Sequence, residues 1–378
     1  MNCSPALVVF AVSAFAILYC YAFYPALLAL LPFRRHHDMG QPAEWPKASV
    51  LISVYNEEKH IAARIENLLA LDYPTDKLEI LIGSDGSEDR TNDIASKYND
   101  PRLKLLAFTP RRGKPSVLNR LVPQAQGELL VFTDANAMFA SDAVRKLARH
   151  FADPQIGGVC GRLILHGASS ETEEGPYWKL ETFMKQHESA MDSCLGANGA
   201  IYAIRRALWP GIPDNTLIDD FVIAMRVREQ GFRVIYDAVA VATEDLPQSV
   251  SHEMTRRIRI GAGGFQSLFL CWRSLLPWRG LYTFAFWSHK VLRWLVPFFM
   301  IAALVSNFAL LSNPIFVSLL LLQLAFYAFA CLGALLRRMK ITLFNAPYYF
   351  VTINLALLLG FFRFITGTQQ AAWKRTAR

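Results

Sequence analysis

The chain has 378 residues, 53% of them hydrophobic, with a positive mean hydropathy and a formal charge of +8. That length holds one large domain plus membrane elements, and no basic stripe interleaved with aromatics is present, which argues against a nucleic-acid partner. The six cysteines are scattered without a Cys-x-x-Cys pair, which argues for reduced structural thiols in a cytosol-facing domain and against a zinc site.

Residues 1–33 carry no charge, and Pro5 to Leu31 is long enough to cross a bilayer, which takes about 20 apolar residues. Arg34 and Arg35 follow the run and no basic residue precedes it. That order predicts an uncleaved anchor with its N-terminus outside and Arg34 inside, rather than a signal peptide, which places its basic residues first.

From residue 47 to 247 apolar strands alternate with amphipathic helical patterns. Strands are expected at Ser49–Val54, Leu78–Ile82, Leu103–Phe108 and Glu128–Thr133, and helices at Glu57–Leu69, Asp89–Tyr98 and Ser116–Leu121. This βαβα order predicts an α/β domain whose mostly parallel sheet is flanked by helices on both faces. Informative side chains then fall along one sheet edge, where open α/β sheets bind ligands. No Gly-x-Gly-x-x-Gly and no Gly-Lys-Ser/Thr loop occurs, which excludes dinucleotide and P-loop sites.

Ser53-Val54-Tyr55-Asn56-Glu57-Glu58 reads either as a helix cap, with Asn56 capping, or as a base site, with Tyr55 stacking and Glu57 bonding ribose or base. Gly83-Ser84-Asp85-Gly86-Ser87 reads either as a tight turn or as a loop whose Asp85 accepts the imide N–H of uracil. Lys114 is either a solvated cation or a phosphate or base ligand on a glycine-loosened loop. Asp134, in Thr133-Asp134-Ala135-Asn136, ends a buried strand. Asp219-Asp220-Phe221 opens a helical pattern, where acids are favoured by the helix dipole and a carboxylate is placed to act as a base.

These motifs occur in one order, together with Gly196-Ala197-Asn198-Gly199-Ala200-Ile201-Tyr202 and the Arg256-Arg257-Ile258-Arg259-Ile260 segment. That order resembles the family 2 glycosyltransferases of GT-A fold. It is most similar to the membrane-embedded branch with cellulose, chitin-oligosaccharide and hyaluronan synthases and ceramide glucosyltransferases. The resemblance covers about Ser49 to Gln266. It implies that Tyr55, Glu57, Asp85 and Lys114 surround the uridine of a UDP-sugar. Asp134 and Asn136 match the Asp-x-Asp that binds ribose and a divalent metal, Mg²⁺ or Mn²⁺, on the diphosphate. Asn136 stands in place of the second Asp and ligates without formal charge. Asn198 and Gly199 would lie at the acceptor, Asp220 would be the catalytic base, and Arg259 would be a diphosphate ligand. In-line attack inverts the sugar, so an α-linked donor gives a β-glycoside.

Thr243-Glu244-Asp245 spells a triplet frequent at the base position of this family, but it precedes Leu246-Pro247. Asp220 is followed by an amphipathic helix and Gly231-Phe232-Arg233 before a strand, the expected context. Arg256 and Ile260 replace the Gln and Trp of the Gln-x-x-Arg-Trp motif that accompanies processive polymerisation. The 248–280 segment also reads as an amphipathic interfacial helix, with Gly261-Ala262-Gly263-Gly264 as a flexible link.

Trp294 to Leu336 is a second charge-free run, broken by Ser312-Asn313-Pro314, which predicts a two-span hairpin closed by Arg337-Arg338-Met339-Lys340 inside. Ile341 to Phe362 is a further run whose start Asn345 and Pro347 interrupt; it is either a span or a re-entrant segment. The expected organisation is an anchor over 1–33, a cytosolic catalytic domain over 47–247, the interfacial segment over 248–280 and a membrane region over 284–366. The expected protein is an inner-membrane inverting transferase that moves sugar from a UDP-sugar to a lipid or growing polysaccharide, with polysaccharide-synthesis proteins as possible partners. The alternative is a catalytically silent, nucleotide-sugar-binding subunit.

Overall fold

A computed structural model describes residues 4–31, 40, 42–166, 176–245, 250–336 and 342–370. The chain begins with α1 (Pro5–Leu18), a π-helical turn at Tyr19–Phe23 and α2 (Tyr24–Leu30). Next come β1 (Ala48–Val54), α3 (Ile61–Leu69), β2 (Leu78–Asp85), α4 (Thr91–Ala95), β3 (Leu103–Phe108), α5 (Lys114–Leu121) and β4 (Leu129–Asp134). They are followed by β5 (Met138–Phe139), α6 (Ala143–Ala148), β6 (Ile156–His166), α7 (Pro176–Met191), β7 (Tyr202–Arg205), α8 (Asp219–Glu229) and β8 (Arg233–Asp245). The remaining helices are α9 (Val250–Leu270), α10 (Leu281–Ala285), α11 (Leu292–Phe308), α12 (Pro314–Leu335) and α13 (Thr342–Ile365). Two compact units result: the sheet domain with residues 269–284, and a helical unit of α1, α2, most of α9 and the helices beyond residue 285.

The sheet has eight strands in the order β3-β2-β1-β4-β7-β6-β8-β5. Its first half is parallel, as the βαβα pattern predicts. β1 is buried on both faces, with Val50, Leu51 and Ile52 fully covered, the pattern of a central parallel strand. α3 covers it with Ile61, Ile65 and Leu68, one stripe at helical spacing. Each of these side chains contributes about 1.5–3 kcal/mol by leaving water. The second half is mixed: β7 runs antiparallel to β4 and β6, β5 is antiparallel to β8, and β6 is parallel to β8. The chain leaves β1 for β2 and β3 on one side and returns to β4 on the other. Strand order therefore reverses beside β1, the place where open α/β sheets bind ligands at the carboxyl ends of their strands.

α3 starts later than its pattern suggests. Asn56 adopts φ +52, and the N–H groups of Asn56, Glu57 and Glu58 donate to Ser87 Oγ, Thr91 Oγ1 and Asp89 Oδ2. Asn56 does not cap a helix; its Oδ1 accepts from the Glu88 N–H at 2.8 Å. The donors that would open a helix are spent on the β2–α4 loop instead. α4 is shorter at its start because Asp89 Oδ1 accepts from the Thr91 N–H at 2.9 Å, which fixes the entry to the helix.

In the helical unit α1 packs on α11, and α12 on α13. Among the described residues, four helices are long and apolar enough to cross a membrane: Pro5–Leu30, Leu281–Phe308, Pro314–Leu335 and Leu343–Ile365. The predicted hairpin is present, with its turn between α11 and α12. α13 runs through Asn345 and Pro347 without a break and is about 36 Å long at 1.5 Å per residue, enough to span. Gly261 to Gly264 form no link; they lie inside α9. A Cβ on Gly261 would meet Leu357 Cα at 3.2 Å, one on Gly264 would meet the Trp294 ring at 2.7 Å, and one on Gly360 would meet Ala262 N at 2.6 Å. The missing side chains let helix backbones approach, and that packing outweighs the weak helix propensity of glycine. The flanking charges Arg34, Arg35, Arg337 to Lys340, Lys374, Arg375 and Arg378 lie outside the described residues.

Candidate active site

The ends of β1, β2 and β4 bring Tyr55, Asp85 and Asp134 to one sheet edge, since Val54 pairs with Ser84 and Ser53 with Asp134. Asp85 is buried, and its two oxygens accept from the backbone N–H groups of Arg112 and Gly113, each at 2.8 Å. The carboxylate thus holds the loop that leads into α5. Gly113 has φ +98, a conformation that favours glycine. The same loop places the Arg111 guanidinium 3.6 Å from the centre of the Tyr55 ring. Glu57 is half-buried beside Tyr55, with its N–H on Thr91 Oγ1 at 2.7 Å.

Lys114, the first residue of α5, reaches into a group of carboxylates. Its Nζ lies 2.7 Å from Asp134 Oδ1 and 3.4 Å from Asp219 Oδ2. Burial alone would push this ammonium down, but Asp134, Asp219 and Asp220 outweigh it and hold it above its ordinary value. Asp219 and Asp220 occupy the first turn of α8, where the helix dipole favours negative charge. Asp220 Oδ1 accepts from the Phe221 N–H at 2.8 Å. Burial, then the charge of Asp219, push the Asp220 carboxyl up to about 6, against the opposing pull of Lys114.

Gly199 sits between the two acids. A Cβ built there would lie 3.2 Å from Asp220 Oδ2 and 3.5 Å from Asp134 Oδ2. Asn198 precedes it with its side chain fully engaged: Oδ1 accepts from Lys185 Nζ, and Nδ2 donates to Gly161 O at 2.7 Å. On the other side of the loop, Ala200 O accepts from Thr133 Oγ1 at 2.8 Å, and that hydroxyl accepts from Arg64 at 2.7 Å. Arg64 is wholly buried behind Asp134. Burial pulls its guanidinium below its ordinary value, and the charge of Asp134 opposes that.

Asn136 is half-buried and its Nδ2 is a buried atom with no hydrogen-bond partner. Exchanging amide N and O puts an oxygen at that unpaired position. Asp134 and Asn136 would then offer hard oxygen donors, the type a divalent cation takes. Among the described residues no three His, Cys, Asp or Glu side chains group into a cage made by protein alone.

The sequence-predicted residues thus fall into three sets. Tyr55, Glu57 and Asp85 share one crevice wall, while Lys114, Asp134, Asp220 and Gly199 meet in a carboxylate cluster, with Asn136 two residues beyond Asp134. Arg259 lies on α9 in the helical unit, beside Arg256 and Arg257, which pair with Glu253 at 2.8 Å. Glu244 and Asp245 end β8 as extended strand, not at a helix start. Arg64 and Lys185 were not anticipated, since each acts on a partner distant in sequence and no local motif marks them; Thr133 lies in the Asp134 motif, but its bonds to Arg64 and Ala200 were not foreseen.

Residues 49–209 match the model of glycosyl transferase family 2. The chain is 26% identical over 261 residues to a beta-monoglucosyldiacylglycerol synthase of Trichormus variabilis, covering 64% of this chain and 54% of that protein. It is 25% identical over 226 residues to a poly-beta-1,6-N-acetyl-D-glucosamine synthase of Staphylococcus aureus, covering 58% and 54%. The chain spans about half the length of these curated relatives. Among solved structures it is similar to the mannosyltransferase PcManGT from Pyrobaculum calidifontis in complex with GDP-Man and Mn²⁺, with a TM-score of 0.74, 23% identity, and coverage of 96% of this chain and 99% of that one. Residues 49–209 are therefore a family 2 glycosyl transferase domain, built on a GT-A fold.

Proposed function

We propose that this protein is an inverting membrane glycosyltransferase that moves a sugar from a UDP-sugar to a hydroxyl of a lipid or growing polysaccharide at the cytoplasmic face of the inner membrane. The observation that carries this reading is the convergence of Asp134 and Asp220 on Gly199, with Lys114 paired to Asp134. It provides a donor acid, a cation for the diphosphate and a base in one crevice.

In this reading Tyr55, Glu57 and Asp85 hold the nucleoside, with Asp85 acting mainly through the loop it fixes. Asp134 and Asn136 face the ribose and diphosphate. A divalent cation held by Asp134 and Asn136 would neutralise charge on the diphosphate. Lys114 adds a second positive charge as the leaving group forms. The Asp220 carboxylate takes the proton of the acceptor hydroxyl, whose oxygen bonds to the anomeric carbon as the bond to the diphosphate breaks. Attack opposite the leaving group converts an α-linked donor into a β-glycoside. Because Asp220 titrates near 6, it is a carboxylate at neutral pH yet a stronger base than an ordinary aspartate.

The apolar helices, with Arg34 and Arg35 after the first and Arg337 to Lys340 after the third, support a membrane site with a cytoplasmic catalytic domain. One relative is named for a glycolipid and the other for a polysaccharide, which supports the acceptor class. Arg259 is assigned to the diphosphate by charge and motif position. The test is a donor screen on membranes containing the protein, with labelled UDP- and GDP-sugars, with and without Mn²⁺. Label from a UDP-sugar in extractable lipid or in polymer, dependent on the cation, is the expected result. Transfer only from GDP-sugars overturns the donor assignment. Nucleotide binding without turnover of any donor points to the silent-subunit alternative.

A further inference from the structure

Lys185 is a buried lysine, 8% exposed, on the inner face of α7. A side chain of this type is almost never enclosed unless its ammonium is paired. Its Nζ donates to Asn198 Oδ1. Burial works against its charge, and the carboxylate of Glu181 opposes that. Asn198 in turn is held three times: by Lys185, by its own amide donating to Gly161 O at 2.7 Å, and by its backbone N–H, 3.2 Å from Cys160 Sγ. The loop then closes on itself, with the Ile201 N–H on Asn198 O at 2.9 Å. The next residue is Gly199, between the two carboxylates.

A glycine between two acids has no side chain to hold its own position. Without restraint its backbone would drift, and the gap beside Asp220 would drift with it. The loop is fastened at both shoulders instead. Thr133 holds Ala200 on the β4 side, and Lys185 holds Asn198 on the α7 side. Only the second fastening uses a charged donor on a neutral amide in a buried site, the stronger class of hydrogen bond.

We propose that Lys185 is the positioning residue of the acceptor loop: its ammonium fixes Asn198 and so sets Gly199 against Asp220, where the acceptor hydroxyl must lie. This rests on the transfer reading above. Lys185 touches neither donor nor reacting atoms; it acts through Asn198.

The experiment compares Lys185→Met, Asn198→Ala and the double variant in the full-length protein. Methionine keeps the volume and removes the donor. The readouts are UDP binding in Mn²⁺, acceptor kcat/KM, and hydrogen exchange of the 196–201 amides. Lys185→Met is expected to lower acceptor kcat/KM on the order of 10- to 100-fold with UDP affinity within about twofold. It should add nothing in the Asn198→Ala background, because both remove one interaction. Exchange at 196–201 should rise while the β1–β4 amides stay protected. Full activity of Lys185→Met, additive losses in the double variant, or unchanged exchange at 196–201 overturns the proposal. If the wild-type protein transfers no sugar, the transfer reading fails by itself, and the exchange data still decide whether Lys185 fixes the loop.

Discussion

The two sides of the crevice are built differently. On the β1–β2 side, loops are laced to each other by hydrogen bonds between side chains and backbone. Asp85 holds two N–H groups of the next loop, Asn56 donates to Ser87 and accepts from the Glu88 N–H, and Arg111 covers Tyr55. Around the carboxylate cluster the site is assembled from buried charges, with Lys114 among three acids, Lys185 on Asn198 and Arg64 behind Asp134. The first kind of wall tolerates changes at modest cost, because each tie is one hydrogen bond among several. The second does not, because removing one member strands a charge in a poorly solvated site.

That contrast orders the expected effects. Asp220→Asn should lower kcat by about 10³-fold or more while UDP binding stays within about twofold, measured by single-turnover transfer and nucleotide titration. Lys114→Met should come next. It leaves Asp134, Asp219 and Asp220 to repel one another, so UDP binding should weaken roughly tenfold. The same change removes a charge that holds the Asp220 carboxyl down, so the acid limb of the pH–rate profile should move above about 6. Gly199→Ala places a methyl 3.2 Å from Asp220 Oδ2 and should cost roughly tenfold in acceptor kcat/KM with little change in thermal stability. On the laced side, Asn56→Ala should cost only about 2 kcal/mol of stability, for the left-handed backbone and one lost hydrogen bond, with Asn56→Gly closer to neutral. Were the last change as damaging to turnover as the first, the contrast between the walls would be broken.

The same contrast explains what could be read from sequence. Asp85 and Asp134 were legible because they end apolar runs of strand length, and Asp220 because it starts a helical pattern in the right context. Spacing along one strand or helix carries that information. Lys185 and Arg64 were not legible, since their partners lie 13 and 69 residues away and each resembles an ordinary helix-surface charge. β6, β7 and α7 went unanticipated for a related reason: they pair antiparallel or across the sheet, and no βαβ rhythm announces them. The glycines of α9 were misread as a link because their helical state depends on a neighbouring helix backbone. Asn198 was expected to face the acceptor; its amide bonds Lys185 and Gly161, contacts that no local spacing announces.

The central claim is that Asp220 is the base. The most direct test is the pH dependence of sugar transfer by the wild-type protein and Asp220→Asn at saturating donor. A raised carboxyl is active only when deprotonated, so transfer should be flat above pH 7 and fall tenfold per unit below about 6. In Asp220→Asn the residual rate should show no such limb. A wild-type limb that survives in Asp220→Asn, or a variant that keeps its turnover, would contradict the account.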